Sequence, residues 1–299
     1  MREIACAICG DVGRHVVYES TLPAGATIAG LDPYGAHYRI NRCARCGLLY
    51  SSPIFEPHEV KVLYTHAPHA NAPPGEEANV RRTMELYYRF ARPFLAGRHR
   101  ILDVGCDIGL LLEVAREDGF RELHGIEPVQ VAARVAAGIR GASISSEFYE
   151  DQTFPDGYFD LVTLVHVVDH LVDPIRVLRR TWGQLKPGGI LLAVVHNSGS
   201  LLSRVLGERF PPYNLYHHYF FSNATLKRLF EAGSFEVLRV ASTYNCYSMG
   251  FLAEKIPGVP APVRRVGRRI LDALGVGGLP VTIPLGNIGI VASRPREGV

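Results

Sequence analysis

The sequence predicts a doubly wound α/β fold, a mostly parallel Rossmann-like sheet with helices on both faces, behind a small N-terminal zinc-binding module. Three observations predict it. From Arg100 onward, short apolar runs alternate with helix-period segments, and strict strand–helix–strand alternation calls for parallel pairing. A glycine-bearing turn at 105–109 separates the first of these strands from its helix. Four of the six cysteines fall in the first 46 residues as two Cys-x-x-Cys pairs.

The 299 residues suit one large domain or two smaller ones, and 47% hydrophobic positions with 20% charged ones describe a globular chain. Glycine (30) and proline (20) together make roughly a sixth of the sequence, which excludes collagen-like and wholly disordered chains. Lys+Arg 32 against Asp+Glu 29 leaves a formal +3, too balanced to argue for a polyanionic partner. The longest apolar runs, such as 190–195, are strand-sized, far short of the roughly 20 residues of a membrane helix. The first residues lack the apolar core of a secretory signal, so the expected location is cytoplasmic, with reduced thiols.

Cys6-x-x-Cys9 and Cys43-x-x-Cys46 stand 33 residues apart, the spacing of a four-thiolate zinc site. Gly10 and Gly47 follow the second cysteine of each pair and allow the backbone to fold back with its amides toward sulfur. Disulfides are opposed by the expected compartment, and a thioredoxin-like pair by the absence of a βαβ pattern nearby. Four thiolates leave no open position, so the expected metal is structural. Cys106 and Cys246 lack ligand-spaced neighbours and read as small buried hydrophobes.

Strand-like pieces occur at 38–40 and 48–50, and 66–75 reads as an exposed loop. A helix follows over 80–95. Strands are expected at 101–104, 123–126, 160–165, 190–195, 235–240 and 288–292, and helices at 110–118, 129–137, 173–185 and 224–232. The expected division is a zinc module at 1–57, a loop and helical cap at 58–98, and the α/β domain at 99–299 with an aromatic lid at about 201–221. Arg264, Arg265, Arg268 and Arg269 lie on a basic amphipathic helix whose readings are a solvated face, an anionic substrate or a membrane surface.

The turn at 105–109 follows a strand and opens a helix, and Glu127 ends the next strand 22 residues after Gly105, where a carboxylate takes ribose hydroxyls. A dinucleotide would bring its pyrophosphate against Asp107 and Asp103, a repulsion on the order of several kcal/mol at intermediate dielectric. S-adenosylmethionine carries a sulfonium and an ammonium instead, so the same acids attract it. The sequence favours the sulfonium cofactor.

Ile101-Leu102-Asp103-Val104-Gly105-Cys106-Asp107-Ile108-Gly109, Glu127-Pro128, Phe154-Pro155-Asp156-Gly157-Tyr158-Phe159-Asp160 and Leu185-Lys186-Pro187-Gly188-Gly189 resemble the successive motifs of class I S-adenosylmethionine-dependent methyltransferases. His166-Val167-Val168-Asp169-His170 resembles their His-x-x-Glu-His segment, with Asp in place of Glu. The segment 216–222 resembles their His-x-x-x-Phe-Ser segment. The N-terminal cysteine pairs resemble a subgroup acting on sugars and secondary metabolites. Asp107 replaces the family's central glycine, a position that aspartate tolerates through the left-handed backbone region.

The resemblance implies that Asp103 and the turn residues Gly105, Cys106, Asp107 and Gly109 hold the methionine end of the cofactor, with Glu127 and Pro128 at the ribose. Phe148 or Tyr149 is a candidate adenine wall, core packing being the alternative. His166 is a candidate beside the methyl group. His170 or His217 is the candidate general base, the alternative being that both hydrogen-bond backbone and hold loops. The expected acceptor is an oxygen or carbon of a small molecule, a sugar, nucleotide-linked sugar or secondary metabolite. The competing functions are an RNA methyltransferase, which the modest charge opposes, and a non-catalytic protein without cofactor.

Overall fold

The computed structural model describes residues 1–28, 31–65, 75–256 and 259–296; the loop expected at 66–75 lies outside them except for Gly75. In chain order the elements are β1 (Arg14–Tyr18), β2 (Ile40–Cys43), β3 (Leu49–Ser51), α1 (Pro57–Thr65), α2 (Glu77–Ala91), β4 (Arg100–Val104), α3 (Leu110–Glu117), β5 (Glu122–Ile126), α4 (Gln130–Ala136), β6 (Ala142–Ser145), β7 (Phe159–Val165), α5 (Pro174–Gln184) and β8 (Leu185–His196). There follow α6 (Leu201–Leu206), β9 (Tyr219–Phe220), α7 (Asn223–Ala232), β10 (Glu236–Ser248), α8 (Met249–Glu254), α9 (Ala261–Ala273) and β11 (Pro280–Ser293).

The main sheet has the order β6-β5-β4-β7-β8-β11-β10. Its first five strands run parallel, and β11 joins antiparallel to both β8 and β10. Alternate residues of the central strands enter two apolar layers, as a sheet covered on both faces requires. Leu102, Val162, Leu164, Leu191 and Ala193 face the layer that holds α5 and α7. Ile101, Leu161, Ile190, Leu192 and Val194 face Tyr87, Tyr88, Leu111 and Leu112 of α2 and α3. Local signals set the helix ends: Asp173 accepts from the Arg176 amide ahead of Pro174, and Ser222 and Thr225 cap α7 reciprocally.

A second, antiparallel sheet runs β1-β2-β3-β9. Its last strand is Tyr219–Phe220 of the aromatic segment, paired with Tyr50 and Leu49. Tyr38, Tyr50 and Phe55 of the N-terminal region share one core with Tyr219 and Phe221, so the two regions are packed together. The segment expected as a lid is thus paired into that sheet. Tyr213, Tyr216, Tyr219, Phe220 and Phe221 are all buried, and burying each large side chain is worth about 1.5–3 kcal/mol. The segment is a strap beneath the N-terminal sheet. The helix of the expected cap, α2, packs against β10 and α3, on the main sheet itself.

Other differences are local. The helix of 80–95 ends at Ala91 and tightens into a 3-10 turn over Arg92–Phe94 carrying Pro93. The strand of 190–195 starts earlier, at Leu185, which pairs with Phe159; 186–189 then bulge, with Gly188 at φ +77°, before Ile190 pairs with Leu161. The strands expected at 235–240 and 288–292 extend into a long pair, β10 with β11. Elements α1, α6, α8, β1, β6 and β9 had no sequence counterpart. In α9, Arg264 and Arg268 turn toward α8, donating to the Glu254 carbonyl and pairing with Glu254 and Asp272. Its outward face therefore carries exposed Val263, Val266 and Ile270, a less polar face than a solvated basic helix would show.

Candidate active site

The C-terminal ends of the adjacent parallel strands β5, β4, β7 and β8 carry Glu127, the turn 105–109, His166 and His196 respectively. A crevice at such a topological switch point is where open α/β sheets bind ligands. The turn has three consecutive demands on backbone conformation: Gly105 at φ +72°, Asp107 at +48° and Gly109 at +84°. A Cβ on Gly109 would lie 2.3 Å from Ile139 Cδ1, and one on Gly105 2.7 Å from Val167 Cγ2, so both positions need glycine. Asp107 adopts the left-handed conformation expected of it. The Cys106 side chain goes into the core below, leaving only its backbone to the turn.

Glu127 folds onto two backbone amides, accepting from Asp107 N at 3.0 Å and Val129 N at 2.8 Å. Pro128 follows it into the loop before α4. Asp103 is buried at the end of β4 and accepts from Thr163 Oγ1 at 2.5 Å. Burial pushes its carboxyl up to about 7; the Thr163 hydrogen bond opposes this, and the charges of Glu127 and Asp107 add to it. Three carboxylates thus gather on one turn, and the residues fit a cofactor that brings positive charge. Of the two aromatic candidates, Tyr149 is corrected to the core: it is 3% exposed, its hydroxyl donating to Gln184 and bonded to Thr181 of α5. Phe148 is half-buried, with the Lys61 ammonium 4.6 Å above its ring.

Beside the turn lies a cluster of imidazoles around one carboxylate. Asp169 is 1% exposed and accepts from His196 Nδ1 at 2.9 Å. Its backbone carbonyl receives the amides of His218 and Tyr219, which pins the aromatic strap to the loop after β7. Burial alone would raise the Asp169 carboxyl; the His196 hydrogen bond and the surrounding imidazoles hold it down, at about 2. His166 sits at φ +53° with its ring 4.7 Å from that of His196. His170 and His217 have ring centroids 4.2 Å apart. Burial lowers all three, His166 to about 4 and the other two well below 6.5, so each is a neutral imidazole at neutral pH.

The structure places the candidates His166, His170 and His217 in one cluster around Asp169. It adds His196, Tyr64, which hydrogen-bonds His170 Nδ1, and Asn214, which receives His217 Nδ1 at 3.0 Å. Only His196 had a sequence signal, its place at the end of an apolar strand. His218 is committed to structure, donating from Nδ1 to the His170 carbonyl at 2.8 Å.

At the N-terminus all six cysteines of the chain being free thiols, Cys6 Sγ lies 3.4 Å from Cys46 Sγ and Cys9 Sγ 3.6 Å from Cys43 Sγ. The amides of Ile8 and Cys9 face Cys6, and those of Arg45 and Cys46 face Cys43. Gly10 and Gly47 take φ +68° and +79° as each knuckle closes. Zinc–sulfur bonds of about 2.3 Å set tetrahedral sulfurs somewhat under 4 Å apart, so this group fits a zinc ion.

A doubly wound sheet with one antiparallel strand, β11, next to its edge and an acid-lined glycine turn at its switch point defines a nucleoside-cofactor enzyme fold. Residues 76–240 match the methyltransferase-domain family, and the chain belongs to it. The ubiquinone biosynthesis O-methyltransferases of Escherichia coli K12 and Shigella boydii are each 31% identical over 118 residues, 37% of this chain and 49% of the relative. The chain thus spans about half the length of the curated relatives it matches. Among solved structures, a chain of the complex between the Haloferax volcanii Trm112 methyltransferase activator and a methyltransferase shares the fold, with TM-score 0.52, 16% identity and 74% and 96% of the two chains covered. The YcgJ protein of Bacillus subtilis does likewise, with TM-score 0.50, 20% identity and 73% and 99% covered. Among the described residues no helix is long and apolar enough to cross a membrane.

Proposed function

We propose that this chain is an S-adenosylmethionine-dependent methyltransferase acting on an oxygen of a small molecule, a sugar, nucleotide-linked sugar or secondary metabolite. The gathering of Asp103, Asp107 and Glu127 on the turn carries this reading, because it repels a pyrophosphate and suits a sulfonium and an ammonium. The small-molecule oxygen acceptor is supported by the curated relatives' name. When bound, the cofactor supplies an electrophilic methyl group. Gly105 and Gly109 give it room, Glu127 receives the ribose hydroxyls, Asp103 faces the methionine end, and Phe148 flanks the adenine.

The imidazole cluster stands where the acceptor would meet the methyl group. The cofactor held on the turn would give its methyl group to the acceptor's oxygen and would leave as the neutral thioether, while this chain's residues orient the acceptor and take its proton. The acceptor's proton passes to a neutral imidazole, for which His170, His217 and His166 are the sequence candidates and His196 the one added by geometry. Zinc held by Cys6, Cys9, Cys43 and Cys46 is structural in this reading, since four thiolates close its coordination. Of the one arginine cluster in that module, Arg39 is paired with Glu19, which does not favour an RNA-gripping role.

Calorimetric titration with S-adenosylhomocysteine tests the cofactor. Micromolar binding that Glu127→Ala loses is expected, and a folded, zinc-loaded chain that binds none would overturn the reading. Transfer of a labelled methyl group to a panel of sugars and nucleotide-linked sugars then identifies the acceptor.

A further inference from the structure

We propose that Asp169, His170 and His217 form a second metal site, distinct from the four cysteines, which binds a first-row divalent cation next to the acceptor. Asp169 Oδ1 lies 3.8 Å from His170 Nε2, and Asp169 Oδ2 lies 3.8 Å from His217 Nε2. The three donor positions fall within 4.8 Å of one another. These separations are too long for hydrogen bonds, and close to the span of two metal–ligand bonds of about 2.1 Å each.

The hydrogen bonds on the far side of each ring settle which nitrogen carries the lone pair. Asn214 Oδ1 is only an acceptor toward His217 Nδ1, so the proton is on Nδ1 and the Nε2 lone pair faces the carboxylate. The Tyr64 hydroxyl lies between His170 Nδ1 and the Tyr216 carbonyl; with its proton given to the carbonyl it accepts from Nδ1, and His170 too turns an Nε2 lone pair toward the carboxylate, the tautomer that a bound cation selects. Two imidazole lone pairs and a carboxylate therefore point at one another. Asp169 Oδ1 and His217 Nε2 are buried and have no hydrogen-bond partner among the described residues. Acceptor facing acceptor in a dry site is costly unless a cation lies between them.

The outer contacts have the arrangement that metal-binding histidines use, the second ring nitrogen donating to a fixed oxygen. His196 Nδ1, donating to Asp169 Oδ2, fixes the carboxylate in the same way. Two imidazoles and one carboxylate suit manganese, iron, cobalt or zinc ions and leave coordination positions open. The use of those positions rests on the methyl-transfer reading: with His170 and His217 as ligands, a hydroxyl of the acceptor bound there would lose its proton more readily, and His166 and His196 remain as the proton carriers. Binding of the metal itself does not depend on that reading.

The test is titration of the full-length, zinc-loaded chain with Co2+ alone, followed by visible absorption and metal analysis. One Co2+ beyond the thiolate-bound metal is expected, with d–d bands and no added thiolate charge-transfer band. Affinity should fall at least tenfold in His217→Ala and again in His170→Gln, each checked for fold by circular dichroism. A folded parent chain that takes up cobalt only with thiolate bands, or a second site that both variants retain unchanged, overturns the proposal. S-adenosylhomocysteine titration of the same samples separates the two readings: lost cofactor binding with retained cobalt refutes the transferase alone, and the converse refutes the metal site alone.

Discussion

Asp103→Asn separates two consequences of a single buried carboxyl group. In the folded chain that group is raised from its ordinary 3.8 to about 7, chiefly by burial. A carboxyl raised on folding binds its proton more tightly in the native state than in the unfolded one. Its stability contribution is therefore intact below about pH 4 and is lost progressively as pH rises to about 7. Each pH unit over that interval corresponds to about 1.4 kcal/mol, which bounds the cost of the ionised form at about 4 kcal/mol. Local relaxation makes about 2 kcal/mol the working figure. Asparagine keeps the shape and can still accept from Thr163, without ever ionising. Thermal unfolding near pH 5 and near pH 8 should show the parent losing a few degrees relative to the variant on the alkaline side. The same variant should bind S-adenosylhomocysteine at least tenfold more weakly, because the charge facing the methionine ammonium is gone. Parallel melting curves for parent and variant across that range would refute the reasoning.

Other predictions follow from the same turn and from the cysteines. Glu127→Ala removes the acceptor of two backbone amides and, on the proposed reading, the ribose partner, and calorimetry should show S-adenosylhomocysteine affinity falling by more than tenfold. Gly109→Ala forces a methyl group toward Ile139 at φ +84°, and denaturant unfolding should show a loss of at least about 2 kcal/mol together with cofactor binding. Cys9→Ser should lower bound zinc by mass spectrometry and expose the N-terminal sheet to proteolysis before the main sheet opens.

Local chemistry made much of this legible from sequence. The turn at 105–109, Glu127 and the cysteine knuckles each depend on residues a few positions apart, where spacing alone constrains geometry. The His170–His217 pairing was half legible: both residues stood out, but their meeting on Asp169 depends on backbone bonds from 218 and 219 to Asp169. Asn214 and Tyr64 were invisible because their role exists only through rings they hold from behind. Tyr149 misled because a strand-to-turn junction gives no hint of which face a side chain takes; the 3-10 turn over Tyr149–Asp151 sends it under α5. The aromatic strap misled for a related reason. Aromatic clusters with prolines suit a lid or a core equally, and only the pairing of β9 with β3 decides between them.

That pairing also dictates an order of assembly. Strand β3 is made early, yet its neighbour Tyr219–Phe220 emerges about 170 residues later in synthesis. The four cysteines are complete as soon as Cys46 has left the ribosome, but the sheet beside them must wait, edge unprotected, for a partner that follows most of the main sheet in sequence. A nascent chain arrested before residue 219 should therefore be metal-loaded at its front and sticky along Leu49–Ser51, and refolding should end with the closure of this one long-range seam.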